Sequence, residues 1–308
     1  MNFVRRSAAI VLCAIISASI ASDGVFNAAG CGPNYYGDLI RRPPIGRLME
    51  FPWLARLGYR KSDDSVEYLF QGTLIHPYYV VTSVFAAGYN QNSLEFVRLG
   101  EYQTDTDKDC QDIDGYEKCA PHPQDIPIQQ IIKHPQYNKP RLANDLVLLK
   151  LQNPANTTSE FVRTICVASG ADFPLNDNAA LFFSAWCGSV KAGISVVPMQ
   201  YRMQLISPSS CAQKLSSDMD IDLNQSSQFC AVMDLDKKQK QKTKDLSLRG
   251  STGAPLQMLG PDGRFYLVGT MSIGVRNARL ETPYVFGHMV QMAEWLEQTV
   301  ASEEGKRP

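Results

Sequence analysis

The sequence predicts an all-β fold of the barrel or sandwich type that ends in one helix. Between residues 51 and 160, short apolar runs alternate with Pro, Gly, Asn and Asp, a spacing typical of antiparallel sheets rather than βαβ units. Near the C-terminus, apolar side chains recur at helical spacing, which predicts a helix over residues 289–300. This stripe consists of Met289, Met292, Trp295, Leu296 and Val300.

Four segments of the first half are strand candidates because they are rich in β-branched and aromatic residues. They are the segments 68–70, 73–75, 79–81 and 146–149. A lysine-rich run over residues 236–244 has no apolar periodicity, and we interpret it as a solvated loop.

The first residues have the features of a secretory signal peptide. Arg5 and Arg6 form a positively charged start, an apolar run follows over residues 8–20, and small residues near Ala21 suit cleavage. The run is too short to span a membrane comfortably, although a retained anchor is the alternative. We therefore expect a secreted, extracellular protein.

The charge balance excludes partners that bind through net charge. The chain carries 30 basic and 31 acidic side chains, so its net charge of -1 gives no electrostatic reason to expect nucleic acid. No C-x-x-C pair or histidine cluster occurs. We predict no metal, no cofactor and no membrane partner.

Seven cysteines remain once the predicted signal peptide, which contains Cys13, is removed. In a secreted protein they are expected to form disulfides, and an odd number leaves at least one thiol free or joined to a second chain. The acceptor sequons at Asn156 and Asn224 predict N-glycosylation of both residues.

Several motifs occur in the order found in trypsin-like serine proteases, and the sequence resembles that family over roughly residues 50–300. Residues 250–256 read GSTGAPL where the family has GDSGGPL. Other shared motifs are Phe51-Pro52-Trp53, the segment 80–86, His134-Pro135-Gln136-Tyr137 and the segment 144–149. The resemblance implies a chymotrypsin-like fold, in which two six-stranded antiparallel β-barrels pack together and a C-terminal helix follows.

More narrowly, the sequence resembles the arthropod clip-domain proteases and their inactive homologues. The segment 98–102, which precedes Cys110 and Cys119, resembles their extra disulfide loop, and Cys31-Gly32 resembles their tethering segment. The six-cysteine clip module has no counterpart between the signal peptide and Cys31. The expected organisation is a signal peptide (1–21), an N-terminal linker tethered by Cys31 (22–50), a degenerate trypsin-like domain (51–300) and a tail (301–308).

The resemblance also implies which cysteines pair. The expected disulfides are Cys31–Cys166, Cys110–Cys119 and Cys211–Cys230. Cys187 is then left over, either as a buried thiol or as the site of a disulfide to a partner chain.

The catalytic triad positions of the family fall on Phe85, Asp145 and Thr252. A serine protease needs a hydroxyl nucleophile, an imidazole that takes its proton and a carboxylate that orients the imidazole. Phe85 cannot accept a proton, and an unassisted Thr252 hydroxyl is a poor nucleophile. Asp145 is either a leftover triad member or a structural carboxylate hydrogen-bonded by Ser272, and we favour the second interpretation.

The features that activate the family and bind its substrates are altered as well. Ser251 replaces the acid that pairs with a newly cleaved terminus, and residues 40–43 do not match the family's activation motif. Tyr284 stands where the family has a glycine in its specificity pocket, whose other positions here are Ser272 and Gly274. Gly250 retains one position of the oxyanion hole.

We therefore expect a secreted, catalytically inactive homologue that acts by binding. The resemblance implies a regulator of an extracellular immune cascade of the melanisation or Toll type. Its partners would be extracellular proteases, prophenoloxidase or recognition proteins. The alternatives are an active serine-type endopeptidase with a divergent mechanism and a carrier of an unrelated ligand.

Overall fold

The computed structural model describes residues 24–37, 45–89, 93–139, 142–170, 173–176, 179–189, 193–215, 227–235, 246–248, 250–273 and 282–306. The predicted signal peptide, residues 40–43, Asn224, Gly274 and the lysine-rich run lie outside these residues. The strands are β1 (Leu54–Arg60), β2 (Val66–His76), β3 (Tyr79–Thr82), β4 (Leu94–Leu99), β5 (Cys110–Ile113), β6 (Tyr116–Cys119), β7 (Gln124–Lys133), β8 (Val147–Leu151), β9 (Cys166–Val167), β10 (Leu181–Ala185), β11 (Gly188–Ser189), β12 (Gly193–Ile194), β13 (Met199–Ile206), β14 (Gln228–Met233), β15 (Leu246–Ser247), β16 (Pro255–Leu259), β17 (Phe265–Ile273) and β18 (Tyr284–His288). The helices are α1 (Val84–Gly88), α2 (Pro208–Leu215) and α3 (Met289–Glu304).

The first barrel closes through six antiparallel strands in the order β1-β2-β3-β8-β7-β4. The predicted segments 68–70 and 73–75 both belong to β2, which runs on between them because Gln71 and Gly72 stay in register with β1. Gly72 fits there because a side chain would collide with Val80, 2.7 Å from the position of its Cβ. The other two predicted strands correspond to β3 and β8, so these predictions are confirmed.

The second barrel also closes through six antiparallel strands, in the order β16-β10-β13-β14-β18-β17, with β16 pairing back to β17. The short strand β9 adds to β17 in parallel, through Tyr266 opposite Cys166. The expected architecture of two six-stranded barrels is therefore confirmed, with β9 as an addition that brings Cys166 to the outer edge of the second barrel.

The predicted C-terminal helix is α3, which packs on the first barrel. Its apolar stripe is buried or half-buried, and Trp295 lies 4.7 Å from the His134 ring between centroids. The helix continues to Glu304, beyond the predicted domain end at residue 300. Its last turn is held by Glu303, which forms an ion pair of 2.9 Å with Lys150 on β8.

Residues that the sequence suggested to be a linker pack closely on the domain. Phe26 is buried in the core of the first barrel, and the Asn27 carboxamide pairs with both backbone groups of Val167. Gly32 donates its amide to Thr164 and has a φ of 57°. Only glycine fits at this position, because a Cβ would lie 2.1 Å from the Phe265 carbonyl oxygen.

Candidate functional site

Asp145 lies between the two barrels and holds the start of α1. Its Oδ1 accepts a hydrogen bond of 2.7 Å from the Val84 amide, and the Phe85 amide also donates to the carboxylate. Ser272, from β17, donates its hydroxyl to Oδ2, which is the hydrogen bond predicted for this serine. The carboxylate thus accepts hydrogen bonds from backbone amides of the first barrel and from a hydroxyl of the second, an arrangement typical of a structural carboxylate.

Burial dominates the electrostatics of Asp145, which is 1 % exposed. Desolvation raises the pKa of this carboxyl group to about 6, although the hydrogen bonds from Ser272, Val84 and Phe85 oppose the shift. Asp145 therefore takes up a proton at a higher pH than an exposed aspartate does.

Phe85 belongs to an aromatic cluster that consists of Tyr59, Phe70, Phe85 and Tyr89. Its ring centroid lies 5.5 Å from that of Phe70, which in turn packs edge-on against Tyr59 and Tyr89. The Tyr59 hydroxyl donates to the Ala86 carbonyl oxygen. This cluster lies where proteases of the resembling family have a disulfide, whose two cysteines are replaced here by Phe70 and Ala86. Phe85 remains 50 % exposed and presents an apolar ring at the triad position.

Thr252 sits in a loop that docks against β2. Its carbonyl oxygen accepts from the Gln71 amide at 3.1 Å, and the following Gly253 has a φ of 87°. A Cβ at Gly253 would lie 2.0 Å from the Gln71 carbonyl oxygen, so the loop is in direct contact with the strand. Within the part of the chain that the structure describes, no group forms a hydrogen bond with the Thr252 hydroxyl.

The four histidines all fall within the described residues, and none is hydrogen-bonded to Thr252. His76 and His134 each accept, at Nδ1, the backbone amide two residues ahead. His288 immediately precedes α3, and His122 is exposed. Among the described residues, no imidazole therefore joins the Thr252 hydroxyl to the Asp145 carboxylate.

Ser251 is fully buried and stabilises the loop with neutral hydrogen bonds. Its hydroxyl donates to the Leu248 carbonyl oxygen and contacts Met271 Sδ at 3.4 Å. Its amide also donates to Leu248, at 3.2 Å. These bonds close a turn where the family uses the carboxylate of an ion pair, so no buried charge at this residue needs a partner.

Tyr284 is 1 % exposed and belongs to the core of the second barrel, together with Leu248, Tyr201 and Cys187. Burial raises the pKa of its phenol to about 12, and the Leu248 backbone opposes the shift. The hydroxyl forms no hydrogen bond of normal geometry with any described residue. A packed aromatic ring thus stands at the position where the family has a pocket glycine. Ser272, the second pocket residue, is engaged by Asp145.

Gly250, the oxyanion-hole position, is covered by a neighbouring side chain. Its φ is 85°, and a Cβ built there would lie 2.8 Å from Ile194 Cδ1. Ile194 comes from β12 and is itself 54 % exposed. An exposed apolar side chain therefore lies against the oxyanion-hole position.

The three expected disulfides, Cys31–Cys166, Cys110–Cys119 and Cys211–Cys230, are present. Cys187 is a free thiol that is 1 % exposed, and burial raises its pKa. Burial argues against the hypothesis that Cys187 joins a second chain, because its sulfur does not reach the surface. Glu117 groups with Cys110 and Cys119, but a disulfide leaves no thiolate for a metal.

Sequence reasoning missed Gln71, which connects the two barrels. Its carboxamide bonds to the backbone of Trp186 and to Gly250, which are 115 and 179 residues away in the sequence. The only local signal was a glutamine between the two predicted strand segments 68–70 and 73–75.

Two further features lie outside this site. A cleft of about 290 Å³ beside the Cys211–Cys230 disulfide is lined by Leu205, Phe229 and His288, among others. Asn156 is exposed, and its Oδ1 accepts from the Thr158 hydroxyl of the same sequon at 2.7 Å.

None of the helices in the described ranges has the length and apolar character needed to cross a membrane.

Comparisons with known proteins identify relatives of this chain. The chain is 29 % identical over 281 residues to Phenoloxidase-activating enzyme 1 of Spodoptera litura, covering 88 % of this chain and 70 % of that protein. It is 30 % identical over 257 residues to CLIP domain-containing serine protease B9 of Anopheles gambiae, covering 82 % and 60 %.

The crystal structure of the Drosophila Grass clip serine protease of the Toll pathway superposes with a TM-score of 0.71 at 24 % identity. The match covers 90 % of this chain and 77 % of that one, and it establishes the shared fold. The family model described as Trypsin matches residues 46–296, which include both barrels, Asp145 and the Thr252 loop. With this match over most of its length, the chain belongs to the trypsin family.

Proposed function

We propose that this chain is a catalytically inactive member of the trypsin family that acts by binding in an extracellular proteolytic immune cascade. The observation that carries the proposal is the environment of Asp145. Its carboxylate is used by the Val84 and Phe85 amides and by Ser272, while a phenyl ring stands at the base position. No described residue is hydrogen-bonded to the Thr252 hydroxyl to take its proton.

The loss of rate expected without a general base is large enough to distinguish an enzyme from a binding protein. General-base catalysis contributes about 10²–10⁴ in rate, and triad members that act as a unit contribute more. The β-methyl group of Thr252 also restricts its side-chain rotation. Tyr284 and Ile194 further support inactivity, because they cover the positions that would bind a substrate side chain and the oxyanion.

The role in a cascade is supported by the relatives. One is named for phenoloxidase activation, and the matched crystal structure belongs to a protease of the Toll pathway. The three disulfides favour an oxidising compartment and thus secretion. We propose that the partners are extracellular proteases, prophenoloxidase or recognition proteins, which would bind a protease-shaped surface that performs no hydrolysis.

The first test is a sensitive hydrolysis assay on Arg, Lys, Phe and Ala ester substrates, before and after limited nicking by trypsin. The matched control is Thr252→Ala. We expect the wild type and the variant to show the same background turnover on every substrate. Turnover by the wild type that Thr252→Ala abolishes would mean an active endopeptidase with a divergent mechanism.

The second test addresses binding. The purified protein is immobilised and exposed to arthropod hemolymph, and the captured proteins are identified by mass spectrometry. We expect to recover cascade proteases, prophenoloxidase or recognition proteins. Recovery of a co-purifying small molecule alone would instead support a carrier function.

A further inference from the structure

We propose that Gln71 is a built-in clamp that fixes the Thr252 loop in the uncleaved chain, so that its conformation does not depend on proteolytic activation. The inference rests on the proposed function only in supposing that this face serves binding. The clamp joins three segments that are distant in the sequence: β2, the end of β10, and the loop at residues 250–253.

The first part of the clamp joins the two barrels. Gln71 Nε2 donates to the Trp186 carbonyl oxygen at 2.8 Å, and the Trp186 amide donates to Gln71 Oε1 at 3.1 Å. The carboxamide thus pairs with the backbone of Trp186 as a neighbouring strand would. The indole of Trp186 donates in turn to the Tyr102 carbonyl oxygen, which fixes this residue from its other side.

The second part holds the loop. Gln71 Nε2 also donates to the Gly250 carbonyl oxygen at 3.1 Å, and the Gln71 amide donates to the Thr252 carbonyl oxygen. Gly253 packs directly on the Gln71 carbonyl oxygen, which accepts the Thr82 hydroxyl at 2.7 Å. One residue therefore contacts the loop at three of its four positions.

The chemistry of these contacts suits a permanent clamp. Gln71 is 2 % exposed, so losing its carboxamide would remove a hydrogen-bond partner from the buried backbone of Trp186 and from the half-buried carbonyl of Gly250, which is costly. All of the bonds are neutral and form within the intact chain. An ion pair with a cleaved terminus would require a carboxylate in the loop, and Ser251 instead bonds to Leu248.

Hydrogen exchange measured by mass spectrometry on the full chain tests the clamp. In Gln71→Ala, we expect amides of residues 250–253 and 186–188 to exchange about ten- to a hundredfold faster, the result of orphaned buried groups. Gln71→Met keeps the side-chain volume and removes the bonds, so it should give the same result if the alanine variant does not fold. Unchanged protection of the loop in a folded Gln71→Met protein would overturn the proposal.

A matched control separates the clamp from a general loss of stability. Gln257 is also a fully buried glutamine, and it bonds to Trp53 at 2.9 Å and Ser184 at 3.1 Å. We expect Gln257→Ala to lower global stability without selectively exposing residues 250–253. Equal acceleration of loop exchange in the two alanine variants would assign Gln71 an ordinary core role and refute the clamp.

The last experiment compares loop exchange in the uncut and the cut chain. A variant that carries a specific protease site in place of residues 38–44 is measured before and after it is cut. We expect identical exchange at residues 250–253 in both forms. A gain of protection after cutting would show that a new terminus orders the loop, and the proposal would then be wrong. Because none of these measurements uses turnover or partner binding, their failure is distinguishable from failure of the proposed function.

Discussion

The Val84 amide lies 2.7 Å from Asp145 Oδ1, so the buried carboxylate anchors the first turn of α1. The Phe85 amide adds a second donor from the same turn. In an active relative, this carboxylate would also orient an imidazole. Here the ring of residue 85 packs in a partly exposed aromatic cluster, and the carboxylate accepts hydrogen bonds from Val84, Phe85 and Ser272.

This role makes the charge of Asp145 dispensable, and we expect Asp145→Asn to show it. Burial raises the folded pKa to about 6 from 3.8, so the folded state holds the proton more tightly than the unfolded state. The stabilisation is thus complete below the unfolded pKa and is lost as the pH rises through the folded value. A shift of about two pKa units corresponds to about 3 kcal/mol in the free energy of unfolding.

The carboxamide introduced by Asp145→Asn would keep an acceptor for the Val84 amide and would carry no charge, so the variant should lose this pH dependence. Urea unfolding between about pH 4 and pH 8 measures it, and the variant should gain stability relative to the wild type as the pH rises. Asn144→Ser, one residue away, is the control. It leaves the carboxylate in place, so its difference in stability from the wild type should not vary with pH. A stability difference that stays constant with pH would contradict the shifted pKa.

The Tyr284 hydroxyl provides a second test, because it is buried and no described residue forms a hydrogen bond of normal geometry with it. Removing it in Tyr284→Phe should leave stability unchanged or raise it by up to about 1 kcal/mol. Tyr284→Ala should instead cost about 3–5 kcal/mol, since it leaves a cavity in the second barrel. Thermal and urea unfolding compare the two variants. Strong destabilisation by Tyr284→Phe would mean that the hydroxyl has a partner in solution.

The burial of Cys187 leads to a prediction about its reactivity. A thiol that is 1 % exposed and whose pKa is raised by burial should not react with a thiol reagent in the native protein. We expect no reaction with Ellman's reagent until denaturant is added, and then one reactive thiol per chain that lacks the predicted signal peptide. Cys187→Ser should show none under either condition. A disulfide-linked dimer on a non-reducing gel, absent in Cys187→Ser, would restore the intermolecular hypothesis.

The elements that could be predicted from the sequence are those with a repeated local signal. β3 and β8 are continuous buried runs that are mostly apolar, and α3 carries an apolar stripe at helical spacing. The hydrogen bond from Ser272 to Asp145 could be expected because an unpaired buried carboxylate is costly, although 127 residues separate the two and no local pattern joins them. The disulfides followed from the family resemblance.

What was missed depends on long-range contacts or on very short elements. Phe26 is a single aromatic residue without periodicity, so nothing local indicated that it fills the core of the first barrel. β11, β12 and β15 span two residues each, which is too short for an alternating pattern. Gln71 reads as an interruption of β2, and its partners become visible only once both barrels are assembled.

We predict that the ion pair between Lys150 and Glu303 stabilises the packing of α3 on the first barrel. Their side chains are 9 % and 11 % exposed, and the charged atoms lie 2.9 Å apart. Glu303→Gln leaves Lys150 without its carboxylate. The loss in the free energy of unfolding should be about 1–3 kcal/mol, between the values for an exposed pair and a fully buried one.

Two comparisons isolate this pair. Glu303 also bonds Lys306, whose side chain is 65 % exposed, so Lys306→Ala should cost less than about 1 kcal/mol. The double variant Lys150→Met/Glu303→Leu removes both buried charges. Its loss in the free energy of unfolding should be smaller than the summed losses of the single variants Lys150→Met and Glu303→Leu. Urea unfolding in a double-mutant cycle measures the coupling. Additive losses would show that the pair contributes nothing to holding the helix.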